Sequence, residues 1–277
     1  MRRAQDRLIR KILSKLRSYS RRARRRFMAA GAGGAGGHLH WLNYEDAIYR
    51  TLEYQYWENE AGVIPLGHYY EFGLGAGRTF SVAYRTIREL AKDLGCTSGN
   101  QLGVCMYGFD SFEGLPEIRE GDPRIDWQKG SMKFSREEFQ QHMDGQRIPR
   151  DAYEVVEGFF HESLTYALRE RLSTRKPGLV LMDCGVYSST ITALEWLRPM
   201  LRDGTFFIFV NTWAYMGHPD LGEIRAIREF NAKGVGMLVP HYLGGATQQL
   251  YVFTSGYQAA AYKEYVLEHP PRRSAAG

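Results

Sequence analysis

From residue 68 to residue 254 short apolar runs alternate with amphipathic stretches of helical period, and this alternation restricts the fold more than any other feature of the chain. The runs His68–Phe72, Leu102–Phe109, Tyr153–Val156, Gly178–Met182, Thr205–Val210, Gly236–Val239 and Gln249–Thr254 have the length and composition of strands. Helical spacing covers Gly77–Leu94, Ser135–Met143, Glu162–Arg171, Ser189–Leu201 and Leu221–Ala232, with a further helix over Tyr44–Trp57. Strands parted by helices of this length predict an α/β, doubly wound, mostly parallel seven-stranded sheet with helices on both faces. The last two strands follow each other without a helix, so the final strand is expected to run antiparallel at one edge.

The charge is unevenly spread. Residues 1–26 hold twelve Lys or Arg against Asp6 alone, a balance of +11, while the whole 277-residue chain carries +5, leaving −6 for the remainder. Leu8, Ile9, Ile12, Leu13 and Leu16 form a stripe on this basic segment, so residues 1–28 read as an amphipathic extension suited to an anionic membrane surface or a protein partner, or as a solvated tail. The Ala/Gly run that follows makes 29–40 a linker, 41–266 the main domain and 267–277 a tail. Three cysteines, Cys96, Cys105 and Cys184, make no disulfide framework, and no apolar run is long enough to span a bilayer. A cytoplasmic protein, at most peripheral to a membrane, is expected.

Ligands of such sheets bind beyond the carboxyl ends of the strands. The first strand runs into Glu71-Phe72-Gly73-Leu74-Gly75-Ala76-Gly77, where Gly73, Gly75 and Gly77 permit a tight turn and close approach of a ligand to backbone. Nicotinamide, flavin and S-adenosylmethionine sites share this spacing. Glu71 tilts the choice: a carboxylate there repels a pyrophosphate and suits an amine or a sulfonium. Asp110, at the end of the second strand, is placed to accept from ribose hydroxyls.

Gly108-Phe109-Asp110-Ser111-Phe112-Glu113-Gly114-Leu115-Pro116 resembles the second-strand motif of the macrocin O-methyltransferase family, within the class I S-adenosylmethionine-dependent methyltransferases of Rossmann-like fold. Val156-Glu157-Gly158-Phe159-Phe160, Leu181 to Thr190 around Asp183, and Glu223 to Phe230 are similar to its later segments in order and spacing. The resemblance implies S-adenosyl-L-methionine as cofactor. It sets Glu71, Gly73, Gly75 and Gly77 around the methionine part and Asp110 on the ribose. Ser111 and Phe112 lie beside the adenine, Glu157, Gly158 and Phe159 on its other side, and Asp183 by the amine or the reacting centre.

The chain departs from that family where a divalent cation would be bound. The second acid of the fourth-strand Asp-Gly-Asp is Gly185, and the acid pair after the fifth strand is Val210-Asn211. Asp183 and Asn211 alone make a poor cage for a hard cation, so no catalytic metal is expected. In-line transfer then rests on positioning, and an alcohol acceptor also needs a base. Asp183, Tyr187 and His218 are the candidates, with Asn211 as a positioner; His161 and His241 are weaker, Tyr187 also reads as packing under the sheet, and His218 also reads as a helix cap.

The expected acceptor is a small-molecule, sugar or peptide-like natural product, with O- or N-transfer both open and a homo-oligomer conceivable. A nucleic-acid substrate is disfavoured, because basic and aromatic residues do not interleave in the main domain. A degenerate scaffold protein is the other alternative. The aromatic stretch Trp41, Tyr44, Tyr49, Tyr54, Tyr56 and Trp57 reads as packing, or as a lid over the acceptor.

Overall fold

The computed structural model describes residues 35–96, 102–119, 122, 127–234, 236–241 and 249–256. Helix α1 (Ala35–Glu60) precedes β1 (His68–Phe72), α2 (Arg78–Asp93) and β2 (Met106–Asp110). Then come α3 (Arg136–Gly145), β3 (Tyr153–Glu157), the short α4 (Phe160–Ser163) and α5 (Tyr166–Arg171), and β4 (Pro177–Met182). The chain continues through α6 (Tyr187–Leu197), β5 (Phe206–Phe209), α7 (Gly222–Ala232), β6 (Met237–Pro240) and β7 (Gln249–Thr254).

The seven strands lie in the order β3-β2-β1-β4-β5-β7-β6. The first five are mutually parallel, and β7 inserts antiparallel to both β5 and β6. The expected antiparallel strand is therefore next to last in the sheet, with β6 at the edge. The order reverses between β1 and β4, which opens a crevice at their carboxyl ends.

Each face of the sheet carries its own core. Tyr69, Leu179 and Ile208 point to one side, against Ile48 and Leu52 of α1 and Phe80, Ala83, Ile87 and Leu90 of α2. Tyr70, Phe72, Phe109 and Phe207 point to the other, against Leu194 and Leu197 of α6 and Phe230 of α7. β4 is buried along its whole length, as a central parallel strand covered on both faces must be. The Phe72 and Phe109 rings stack at 4.4 Å, fixing β1 against β2 just below the crevice.

Most element bounds lie within two residues of the expected ones, and the exceptions have local causes. β2 begins at Met106 rather than Leu102, because Gly103 turns at φ 69° and the Cys105 N–H bonds the His68 ring. The helix expected over 162–171 is split at Thr165, whose hydroxyl caps α5 by accepting from the Leu168 N–H. The α6 helix starts at Tyr187 and stops at Leu197, where Pro199 forces a 3-10 turn.

α1 begins at Ala35 and so runs through residues 35–40, where a linker is expected. Two glycines cost a helix about 1 kcal/mol each, but the segment they precede is anchored by buried Tyr44, Ile48, Tyr49 and Leu52. Tyr44, Tyr49 and Trp57 are buried packing residues, whereas Tyr54 is exposed. The basic extension 1–28 and the tail 267–277 lie outside the described residues. No helix among the described residues is long and apolar enough to cross a membrane.

Candidate active site

At the carboxyl ends of β1, β2, β4 and β5 a cavity of about 290 Å³ opens between the turns that leave those strands. Pro116, Phe159, Phe160 and Ser189 also line an adjoining cavity of about 300 Å³ that reaches Arg119, Lys129 and His161. The two together fall in the size range of small-ligand pockets.

The floor is the glycine turn. At Gly73, with φ 89°, a Cβ would stand 2.1 Å from the Asp183 carbonyl oxygen, so only glycine lets β1 and β4 leave the sheet side by side. The Asp183 N–H donates to the Phe72 carbonyl at 2.8 Å, and the Gly73 N–H to that of Phe109. Asp110 completes the turn: its Oδ2 accepts from the Leu74 and Gly75 N–H groups at 2.6 and 2.9 Å, and its Oδ1 from the Phe112 N–H at 2.7 Å. A carboxylate held by three backbone donors is fixed in place. Ser111 follows it into the lining and donates its hydroxyl to the Gly114 carbonyl.

The opposite wall carries Asp183, Cys184, Gly185, Ser189 and Asn211. Asn211 Nδ2 donates to Asp183 Oδ1 at 2.9 Å, and the Asn211 N–H donates to Glu223 Oε2 at 2.8 Å. Glu223 is buried beneath, and burial raises its carboxyl well above the ordinary value, so the neutral acid is favoured there. Burial likewise pushes up the Cys184 thiol, which leaves it an unreactive wall residue.

The cavity thus gathers Gly73, Gly75, Asp110, Ser111, Phe159, Asp183 and Asn211. Six other candidates stand outside its lining. Glu71 is 1% exposed and shares a sheet face with Tyr69, whose hydroxyl donates to Glu71 Oε2 at 2.5 Å. Burial, opposed by that hydrogen bond, raises the Glu71 carboxyl well above its usual range. The tip carboxylate is therefore a buried group rather than an exposed anion, because strand alternation turns it under α1 and α2. Gly77 is the N-cap of α2, and a Cβ there would meet the Phe139 ring at 2.8 Å, so it serves helix packing.

Phe112 has a positive φ of 57° and packs on Phe139 at 3% exposure. Glu157 ends β3 exposed, and Gly158 packs against Ser163. His218 is exposed in the turn after Tyr215, where its Nδ1 accepts from the Asp220 N–H. The following helix takes Leu221, not His218, as its N-cap.

Other residues complete the site without a sequence signal of their own. Met132 and Phe134 close over Gly75 from the segment before α3. Asp122 is buried at the head of α6, accepting from the Tyr187 N–H at 2.5 Å and from the Tyr215 hydroxyl at 3.4 Å, and so ties the excursion after β2 to the fourth- and fifth-strand turns. Arg78 and Thr79 line the cavity from the first turn of α2. Their position directly after the third glycine was the available clue.

The donor set at the acceptor wall does not fit a hard divalent cation. At Gly185 a Cβ would lie 3.4 Å from Leu115 and 3.6 Å from Trp127, so apolar groups border the place of one ligand. At Asn211 an N–H, not an oxygen, is turned toward Asp183. Among the described residues no three His, Cys, Asp or Glu side chains converge as a metal site. The glycine turn and Asp110, by contrast, fit a nucleoside-bearing ligand laid against backbone.

Residues 99–233, just under half of the chain, match the family model of macrocin-O-methyltransferase (TylF). No curated protein sequence matches. Among solved structures the fold is similar to CalS11, a calicheamicin methyltransferase, with a TM-score of 0.58 and 20% identity over 78% of this chain and 79% of that one. It is also similar to the O-methyltransferase NovP, with a TM-score of 0.55 and 19% identity over 76% of this chain and 79% of that one. The strand order, the crevice and the matched segment agree: residues 99–233 are similar to the macrocin O-methyltransferase family model, and the chain is a methyltransferase.

Proposed function

We propose that the chain transfers a methyl group from S-adenosylmethionine to a hydroxyl oxygen of a sugar-bearing small molecule, without help from a divalent cation. The observation that carries this reading is the convergence of the glycine turn, Asp110 and the Asp183–Asn211 pair on one cavity. The matched family name and the name of NovP both specify transfer to oxygen, and the relatives' natural-product names favour a glycosylated acceptor.

When bound, the cofactor supplies a methyl group activated by its sulfonium. Asp110 and the backbone of Gly73 and Gly75 hold its nucleoside end, and Phe159 covers it. Asn211 fixes the Asp183 carboxylate by donating to its Oδ1. With donor and acceptor bound, Asp183 would receive the proton of the acceptor hydroxyl as its oxygen takes the methyl group from sulfur, and would return it to solvent. Alignment of the acceptor oxygen provides the larger share of the rate, since positioning supplies up to roughly 7–11 kcal/mol.

The test is transfer of labelled methyl to glycosylated acceptors with and without EDTA. Activity should survive the chelator and be lost in Asp183→Ala. Strict dependence on added Mg²⁺ overturns the cation-free reaction, and full activity of Asp183→Ala overturns its role as base.

A further inference from the structure

Glu223 has no part in the reaction proposed above, although it touches the residue that holds Asp183. The β4–β5 ladder ends where the Val210 N–H donates to the Met182 carbonyl at 3.1 Å. One residue further on, the Asn211 N–H has passed the end of the ladder and takes its acceptor from the first turn of α7, Glu223 Oε2 at 2.8 Å. From that anchored backbone the Asn211 side chain reaches Asp183 Oδ1 at 2.9 Å. The tip of β4, the tip of β5 and the start of α7 thus form a chain in which each residue fixes the next. The Asn211 carbonyl is engaged separately, by the Ala214 N–H of the following turn, so Glu223 supplies the hold on the amide side.

A plain helix-start role does not account for this acid. The dipole favours a carboxylate in the first turn of a helix, but it does so equally well at the surface. Glu223 is 1% exposed, and its second oxygen, Oε1, has no hydrogen-bond partner among the described residues. An ionisable group buried with one oxygen unpaired weakens a fold, and an apolar residue of similar size would pack there at less cost. Such groups are retained where their geometry is used. Here the use is at hand: without Glu223 the Asn211 N–H is an orphan at the strand tip, and the backbone from which the amide reaches Asp183 loses its anchor.

Resting on the proposed role of Asp183, we infer that Glu223 is a positioning residue for the methyl transfer: it sets the Asn211 backbone so that the Asn211 amide holds the Asp183 carboxylate in line with the acceptor hydroxyl. Glu223 itself lies outside the cavity lining, so it acts through Asn211 and not on the ligands. Its effect falls on alignment at the reacting centre, where a small displacement costs rate, and not on the glycine turn and Asp110 that hold the cofactor.

The experiment is a double-mutant cycle on the full chain, read by steady-state transfer of labelled methyl to the same glycosylated acceptors and by calorimetric titration with S-adenosylhomocysteine. Glu223→Gln keeps an oxygen for the Asn211 N–H and should retain kcat within about threefold. Glu223→Leu should lower kcat about tenfold or more, with KM and S-adenosylhomocysteine affinity nearly unchanged, as misalignment at the reacting centre does. Glu223→Asp keeps an acid in the first turn of α7 but is one methylene shorter, so it should lose kcat as Glu223→Leu does, and it carries the test if the leucine variant does not fold. In an Asn211→Ala background neither substitution should lower kcat further, because the residue through which Glu223 acts is gone. Unchanged kcat in Glu223→Asp, losses that add in the Asn211→Ala background, or an equal loss of S-adenosylhomocysteine affinity overturns the positioning role. Full activity of Asp183→Ala, or no transfer by the parent chain, overturns instead the reaction on which that role rests.

Discussion

The two ends of the crevice are built by different means. On the β1–β2 side the structure is made of backbone: Gly73 at positive φ, the Leu74 and Gly75 N–H groups, and one carboxylate, Asp110, that accepts from both. On the β4–β5 side it is made of side chains, and there Gly185, Val210 and Asn211 stand where the family resemblance implies acids. Backbone geometry tolerates little substitution, because a Cβ at Gly73 has nowhere to go. A side-chain constellation can be exchanged residue by residue while the cavity persists. The β1–β2 end keeps the glycine turn and Asp110 that the resemblance implies, and the β4–β5 end presents Asp183 and Asn211 where the resemblance implies further acids.

Four substitutions break or sharpen that contrast. The largest effect is expected for Asp183→Asn, which removes the carboxylate that lines the β4–β5 side of the cavity among the described residues. Turnover should fall roughly a hundredfold or more, the scale of general-base loss, while S-adenosylhomocysteine affinity changes little. Steady-state kinetics beside a binding titration would show the split, and a parallel loss in both would erase the contrast between the two ends.

Gly73→Ala should fail at the level of the fold. Positive φ alone costs about 1–3 kcal/mol, and the Cβ would press on the Asp183 carbonyl at 2.1 Å, so a marked drop in melting temperature is expected. A stable variant with intact binding would show that the turn has room to relax. Glu71→Gln, in contrast, should leave affinity for S-adenosylhomocysteine within about threefold. The residue is buried with its carboxyl favoured neutral, and the amide oxygen can still accept from the Tyr69 hydroxyl. Loss of binding in that variant would return Glu71 to the role its sequence position suggests.

The smallest effect is expected for His218→Ala. An exposed turn residue whose ring accepts from the Asp220 N–H should change stability by about 0.5 kcal/mol or less and turnover hardly at all. A pH–rate profile that loses a limb in this variant would mean that the 211–218 loop closes over the acceptor and carries the histidine inward.

The architecture was legible because periodicity reports it directly: buried β4 reads as an unbroken apolar run, and α2 as Phe80, Ala83, Ile87 and Leu90 on one stripe. The place of Asp110 beside the glycine turn was legible because it ends the second apolar run. The residues misplaced by sequence reasoning are those whose facing depends on tertiary context. Glu71 lies one residue from the tip, and strand alternation alone decides that it turns inward beside Tyr69. Phe112 adopts a positive φ so that its N–H reaches Asp110, which swings its ring into the core against Phe139 rather than toward the cavity. Arg78 and Thr79 are marked only by following the third glycine, and Met132 and Phe134 reach the site from a distant loop that no spacing rule joins to it.

The most direct measurement is a calorimetric titration of the unmodified chain and of Asp110→Ala with S-adenosylhomocysteine. Saturable one-to-one binding, weakened at least about tenfold by removal of the Asp110 carboxylate, is the expected result. Absence of binding, or an affinity indifferent to Asp110, would contradict the account.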